Sequence, residues 1–206
     1  MSAYGRASKQ LNLVSLLLLL TAGCATYKPL PETYLHPPHS AVVVMAGIPD
    51  QPVMLDSSQG GLVGAIITAT SRASRMREQL AGIDGQQVQR VLMEQFTHEL
   101  GEHLQLDTTN QDLRIEVTVD VWGWYVPTIS FGIKVGEYES QLIGRVAAFD
   151  PVQNKKVAFA RLQIQRPIGL KPEPENARAA VDDMARAFAQ AAEQALVHSV
   201  KPPPVQ

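Results

Sequence analysis

The chain has 206 residues, 18 basic and 20 acidic, for a formal charge of −2, and 45% of it is hydrophobic. That is enough for one domain with a real core, and too few basic residues for a nucleic-acid surface, whose affinity rests on Lys and Arg neutralising phosphates. A lone cysteine excludes an intrachain disulfide and a cysteine-based metal cluster.

Arg6 and Lys9 open the chain, Leu11 to Leu20 is apolar except for Asn12 and Ser15, and Thr21-Ala22-Gly23 precede Cys24. A positive start, an apolar run of about ten residues and small residues are the parts of a secretory signal. A spanning helix needs about 20 apolar residues. The lone Cys24 after small residues resembles the lipobox of bacterial lipoprotein precursors, a likeness that covers residues 1–25. Thr21 departs from it, standing where Leu is more usual. The resemblance implies that residues 1–23 are removed, that Cys24 receives a diacylglyceryl thioether, and that its new amine is acylated. The membrane is then a partner through this anchor, since several acyl chains together hold a protein stably where one does not. Ala25 occupies the position at which the family's inner-membrane retention signal is Asp. Its presence implies the outer membrane, facing the periplasm, in a cell with two membranes. A conventional signal cut after Ala22 or Ala25 is the alternative. Loss of residues 1–23 removes two basic and no acidic residues, which leaves 16 against 20.

Residues 24–40 carry Pro29, Pro31, Pro37 and Pro38 between Tyr34, His36 and His39. They read as an extended tether, reaching up to about 50 Å at about 3.1 Å per residue. Ala41–Ala46 is a continuous apolar run of strand length, expected in the centre of a sheet with both faces buried. Gly47, Pro49, Asp50 and Pro52 break it, and Ser57–Gly61 reads as a loop. Leu62–Leu80 reads as a helix. A second helix follows from about Gln86 to Leu104, with Val88, Leu92, Phe96 and Leu100 on one face and Asp84 as its N-cap. In Leu113–Trp124, apolar Leu113, Ile115, Val117, Val119 and Val121 alternate with Arg114, Glu116, Thr118, Asp120 and Trp122, which predicts a strand with one wet face. A short strand is expected within Ile129–Val135. Tyr138–Phe149 and Val157–Gln165 form a hairpin around an Asp150–Asn154 turn. Glu175–Val200 is a long helix with an alanine-rich stripe, and residues 201–206 read as a frayed tail.

The elements predict an α+β fold: a mostly antiparallel sheet of about four strands, with two or three helices on one face, in a single domain over residues 41–200. This order of elements is similar to small envelope lipoproteins of the transporter-auxiliary kind and to the amino-terminal domain of TolB. The similarity implies a docking module rather than an enzyme.

Three groups of residues are candidate sites. Gly60, Gly61 and Gly64, with Ala65 and Ala69, would let a helix approach a neighbour closely, either a partner copy in a homo-oligomer or the Ala41–Ala46 strand. Trp122 and Trp124 fall on the face of Thr118 and Asp120, with Tyr125 next in the chain, and aromatic residues there would make a partner surface. The alternative is that loop 126–137 covers the rings as core. Glu94, His98 and Glu102 recur every four residues, with His103 beside them, but they lie opposite the apolar stripe and lack an HExxH pattern. They read as a solvated face, and His36 and His39 as incidental. No GxSxG or SxxK pattern occurs, so no enzyme, cofactor or metal is expected, although a carboxylate pair for glycoside cleavage needs no local motif. The expected role is a non-catalytic docking or accessory module of an envelope assembly or transport complex, with an envelope protein as partner. The alternatives are a homo-oligomer built through residues 60–69 and a hydrolase acting on cell wall or lipid.

Overall fold

The computed structural model describes residues 27–56, 83–107, 112–126, 128–130, 133–135, 138–169 and 174–203. In chain order the elements are β1 (Tyr27–Lys28), α1 (Glu32–Leu35), β2 (Ser40–Gly47), β3 (Val53–Asp56), α2 (Gly85–Gly101), β4 (Gln105–Leu106), β5 (Leu113–Val126), β6 (Thr128–Ser130), β7 (Ile133–Val135), β8 (Tyr138–Asp150), β9 (Lys155–Gly169) and α3 (Pro174–Leu196). The expected helix at Leu62–Leu80 lies outside the described residues. Among the described residues no helix is long and apolar enough to cross a membrane.

The sheet has seven strands, ordered β1-β9-β8-β5-β2-β4, with β3 also paired to β5; β6 and β7 form a separate hairpin. The expected α+β class holds, but four mostly antiparallel strands is a correction. β1, β9, β8 and β5 pair antiparallel, whereas β2 and β3 run parallel to β5 and β4 runs parallel to β2. The extra strands are two to four residues long, too short to carry an alternation that a sequence can reveal. β2 and β3 lie in line along one edge of β5, β2 against Leu113–Thr118 and β3 against Gly123–Val126. Ala41–Ala46 was expected in the sheet centre. Instead β2 lies beside the two-residue β4, and only its Ala41 is fully buried.

Helix α2 begins where Asp84 caps it, its carboxylate accepting from Gln87 N at 2.9 Å. Its stripe of Val88, Leu92, Phe96 and Leu100 is buried as the spacing predicts. Both long helices lie on the sheet face of Ile115, Val117, Val146, Ala148, Ala160 and Leu162. Phe96 and Phe188 meet edge to face between them, centroids 6.1 Å apart, a geometry that aromatic pairs prefer. Gly144 makes room for this contact. A Cβ there would stand 2.5 Å from the Thr118 carbonyl oxygen and 3.0 Å from Phe188 Cζ.

Residues 27–40 are a strap on the domain and not a free tether, a second correction. Tyr27 and Lys28 pair with Ala160 and Phe159, and Leu30 N donates to Leu196 O at 2.8 Å. Leu30 and Leu35 are buried, and Tyr34 Oη donates to Asp150 Oδ2 at 2.8 Å. The chain is extended only at Tyr27–Lys28, where it pairs as an edge strand, and after Pro31 it turns through α1 before β2 begins at Ser40. Leu30, Leu35, Tyr27 and Tyr34 supply the apolar contact that decides between strap and tether. At the other terminus α3 ends at Leu196, earlier than expected, and Pro202 is buried, so the tail is packed at that point.

Two predictions follow from this packing. Gly144→Ala forces a methyl against Thr118 and Phe188 and costs about 1–3 kcal/mol, the usual range for overpacking, measurable by denaturant unfolding. Backbone donation from Gln153 and then the Tyr34 hydroxyl hold the Asp150 carboxyl below its ordinary pKa. A depressed carboxyl contributes stability above its unfolded pKa of about 3.9 and loses it as pH falls through the folded value. Tyr34→Phe removes one donor, so its acid-unfolding midpoint shifts to higher pH than that of the unmutated protein.

Candidate functional site

The expected aromatic surface turns inward because of one inserted residue. In the β5–β8 ladder Val119 pairs with Gly144 and Val121 with Ile143, which leaves Asp120 without a partner, a β-bulge. Side-chain parity flips across it. Trp122 and Trp124 therefore point to the helix side with Leu113–Val119 and not to the face of Thr118, and both are 0% exposed. Trp122 Nε1 donates to Pro49 O at 2.6 Å, and Gly85 N donates to the neighbouring Asp50 O at 3.1 Å. One turn between β2 and β3 thus meets both the first tryptophan and the start of α2. Trp124 Nε1 has no partner among the described residues. Trp122 and Trp124 are core, as the alternative reading has it, but on the helix side of the sheet and not on the face of Thr118. The Tyr125 backbone pairs with Leu55 and Glu139. Cys24, Gly60, Gly61 and Gly64 lie outside the described residues.

Chemistry-bearing side chains gather instead where α2 and α3 end. His103 follows the last residue of α2 by two positions, and His198 follows that of α3 by two. Their rings meet edge on, centroids 5.2 Å apart. Glu193 Oε1 lies 3.0 Å from His103 Nε2 and 2.7 Å from His198 Nε2. Glu193 is 8% exposed, one of few buried ionisable groups among the described residues. A carboxylate removed from water needs such partners. A cleft of about 360 Å³ opens beside the two imidazoles, with His103 and His198 on its walls together with Glu32, His36 and Glu102.

Sequence reasoning reached His103 but gave it the wrong companions. Glu94, His98 and Glu102 are exposed, a solvated face as expected. The true neighbours come from another helix, 90 and 95 residues along the chain, and no local spacing announces them. His36, read as incidental, lines the same cleft. His39 belongs elsewhere: its Nδ1 is 3.3 Å from Asp112 Oδ2, close enough for charge attraction but without hydrogen-bonding geometry. Ser40 donates to that carboxylate through both N and Oγ, at 3.2 and 3.0 Å, and with His39 holds its pKa below the ordinary range.

No family model matches the chain, and no curated protein matches it either. Among solved structures it is similar to a Xanthomonas campestris protein of the family described as DUF330, with TM-score 0.47 and 10% identity over 78% of this chain and 85% of that one. Lipoprotein B of Nitrosomonas europaea gives a TM-score of 0.39 at 12% identity, over 78% and 84% of the two chains. The PelC dodecamer of Paraburkholderia phytofirmans gives 0.33 at 13% identity, over 73% and 86%. Likeness of this degree carries neither family nor function.

With both tryptophan rings interior, Trp122→Ala acts on stability and not on a contact surface. It costs about 3–5 kcal/mol, as for other buried aromatic truncations. Any protein that co-purifies with the domain declines only in proportion to the folded fraction, which circular dichroism of the same preparation measures.

Proposed function

We propose that the protein is a lipid-anchored envelope lipoprotein whose domain acts as a non-catalytic docking or accessory module, facing the periplasm from the outer membrane. The observation that carries the reading is the run Leu16–Leu20, Thr21-Ala22-Gly23 and the lone Cys24.

The strap gives the reading a geometric form. Tyr27 is already paired to β9, and only Ala25 and Thr26, a span of three peptide steps, separate it from Cys24. At no more than about 3.6 Å per residue, the anchor lies within about 11 Å of the sheet. The domain then sits against the bilayer, and a partner must meet it within a short distance of the membrane. No nucleophile motif in the sequence speaks for the alternative of a hydrolase.

Intact-mass analysis of protein purified from native envelopes is the test, combined with crosslinking in the same envelopes. The mass expected is that of residues 24–206 plus the acyl groups, with a defined envelope protein crosslinked. Cys24→Ala leaves the chain in the soluble fraction or as uncleaved precursor. Cleavage at another position without added lipid overturns the anchor; lipidation with self-crosslinks alone overturns the docking role.

A further inference from the structure

The cluster at the ends of α2 and α3 has the composition of a metal site. We propose that His103 Nε2, Glu193 Oε1 and His198 Nε2 bind a divalent first-row transition cation of the Zn²⁺ type, with a further coordination position open to the cleft.

The three donor atoms lie within 4.8 Å of one another. Tetrahedral zinc with bonds of about 2.0–2.1 Å places its ligands about 3.4 Å apart. The N···O separations of 3.0 and 2.7 Å lie within about 1 Å of that, and the third separation is no more than 4.8 Å, so the donors stand close to a tetrahedral arrangement. Two imidazoles and one carboxylate select zinc, copper, nickel or iron over calcium and magnesium, which take oxygen donors. The triad leaves at least one position for water or a ligand.

Charge supports the same conclusion. The carboxyl ends of a 17-residue and a 23-residue helix meet here, each equivalent to roughly half a negative charge. Glu32 and Glu102 add to it from the cleft walls, and among the described residues no Lys or Arg lines the cleft. Without a cation Glu193 accepts from both Nε2–H groups. On binding, each imidazole presents its Nε2 lone pair as the Nδ1–H tautomer, and Glu193 supplies the balancing charge. His36, on the strap, faces the same space. A bound cation would therefore tie both helix ends together at the site where the strap crosses them.

The experiment uses the full chain in mild detergent, without a polyhistidine tag and with any free thiol alkylated. Zn²⁺ is titrated calorimetrically, and Co²⁺ by its visible d–d absorption. One equivalent is expected to bind, with a rise in Tm. His103→Gln and His198→Gln should each weaken binding by more than about 100-fold, since losing even an outer-shell partner costs about 10–100-fold. His98→Gln, on the exposed face of α2, should leave it unchanged. Should either cluster variant fail to fold, pulsed EPR of Cu²⁺ bound to the unmutated protein decides, and two coordinated imidazoles are expected. Binding only at millimolar metal, binding unaltered in both folded variants, or fewer than two imidazoles on Cu²⁺ overturns the site.

Discussion

β5 runs for 14 residues through the middle of the sheet, and the bulge at Asp120 divides it into two strands with opposite parity. The first half presents Leu113, Ile115, Val117 and Val119 to the helices; the second presents Trp122 and Trp124. The edge pairing changes at the same place, β2 serving the first half and β3 the second. The turn between those two strands fills the gap and reaches Trp122 and Gly85 through consecutive carbonyls, Pro49 and Asp50. Gly85 and Gly123 are glycines for this reason. A Cβ on Gly85 would stand 2.5 Å from the Pro49 carbonyl oxygen, and Gly123, at φ +155°, would drive one into the Val53 backbone. A straight β5 would turn both indole rings to the opposite face of the sheet, that of Gln141 and Ile143, and take the Trp122 Nε1–H away from the Pro49 carbonyl.

Much of this was legible in the residues. The periodicities of α2 and α3, the Asp84 cap and the β8–β9 hairpin are local patterns, and the structure follows them. The two tryptophans were misread because strict alternation was carried one residue too far. The signal was present: apolar positions are odd from Leu113 to Val121, and the bulky aromatics then fall on even numbers. A change of parity inside an uninterrupted strand is what a bulge produces. The strap was misread for a different reason. Proline marks extended chain but does not say what the chain lies against, and that depends on Leu30 meeting the last turn of α3, more than 160 residues away.

The candidate site was the least legible part. His103 belongs to α2's end, Glu193 and His198 to the end of α3. The packing of α2 on α3, with Phe96 against Phe188 and Gln190 Nε2 donating to Glu99 Oε1, sets the register that lets these ends meet. Apolar packing in the core thus positions polar chemistry at the rim. The cleft also unites three segments that a linear reading keeps apart: the strap through Glu32 and His36, α2 through Glu102, and the residues after α3 through Val197.

The strap also fixes where the chain enters and leaves. Tyr27 Oη donates to Ser199 O at 3.2 Å, two residues before Lys201, and Leu30 N reaches Leu196 O. The first and last described segments therefore share one corner of the domain. Neighbouring termini make a chain amenable to circular permutation, and the exposed turn Pro151–Asn154 is a natural point at which to reopen it. A permutant of that kind keeps the core contacts but moves the ends of the chain to the β8–β9 turn. It would separate what the domain does as a folded object from what depends on the corner at which its ends emerge.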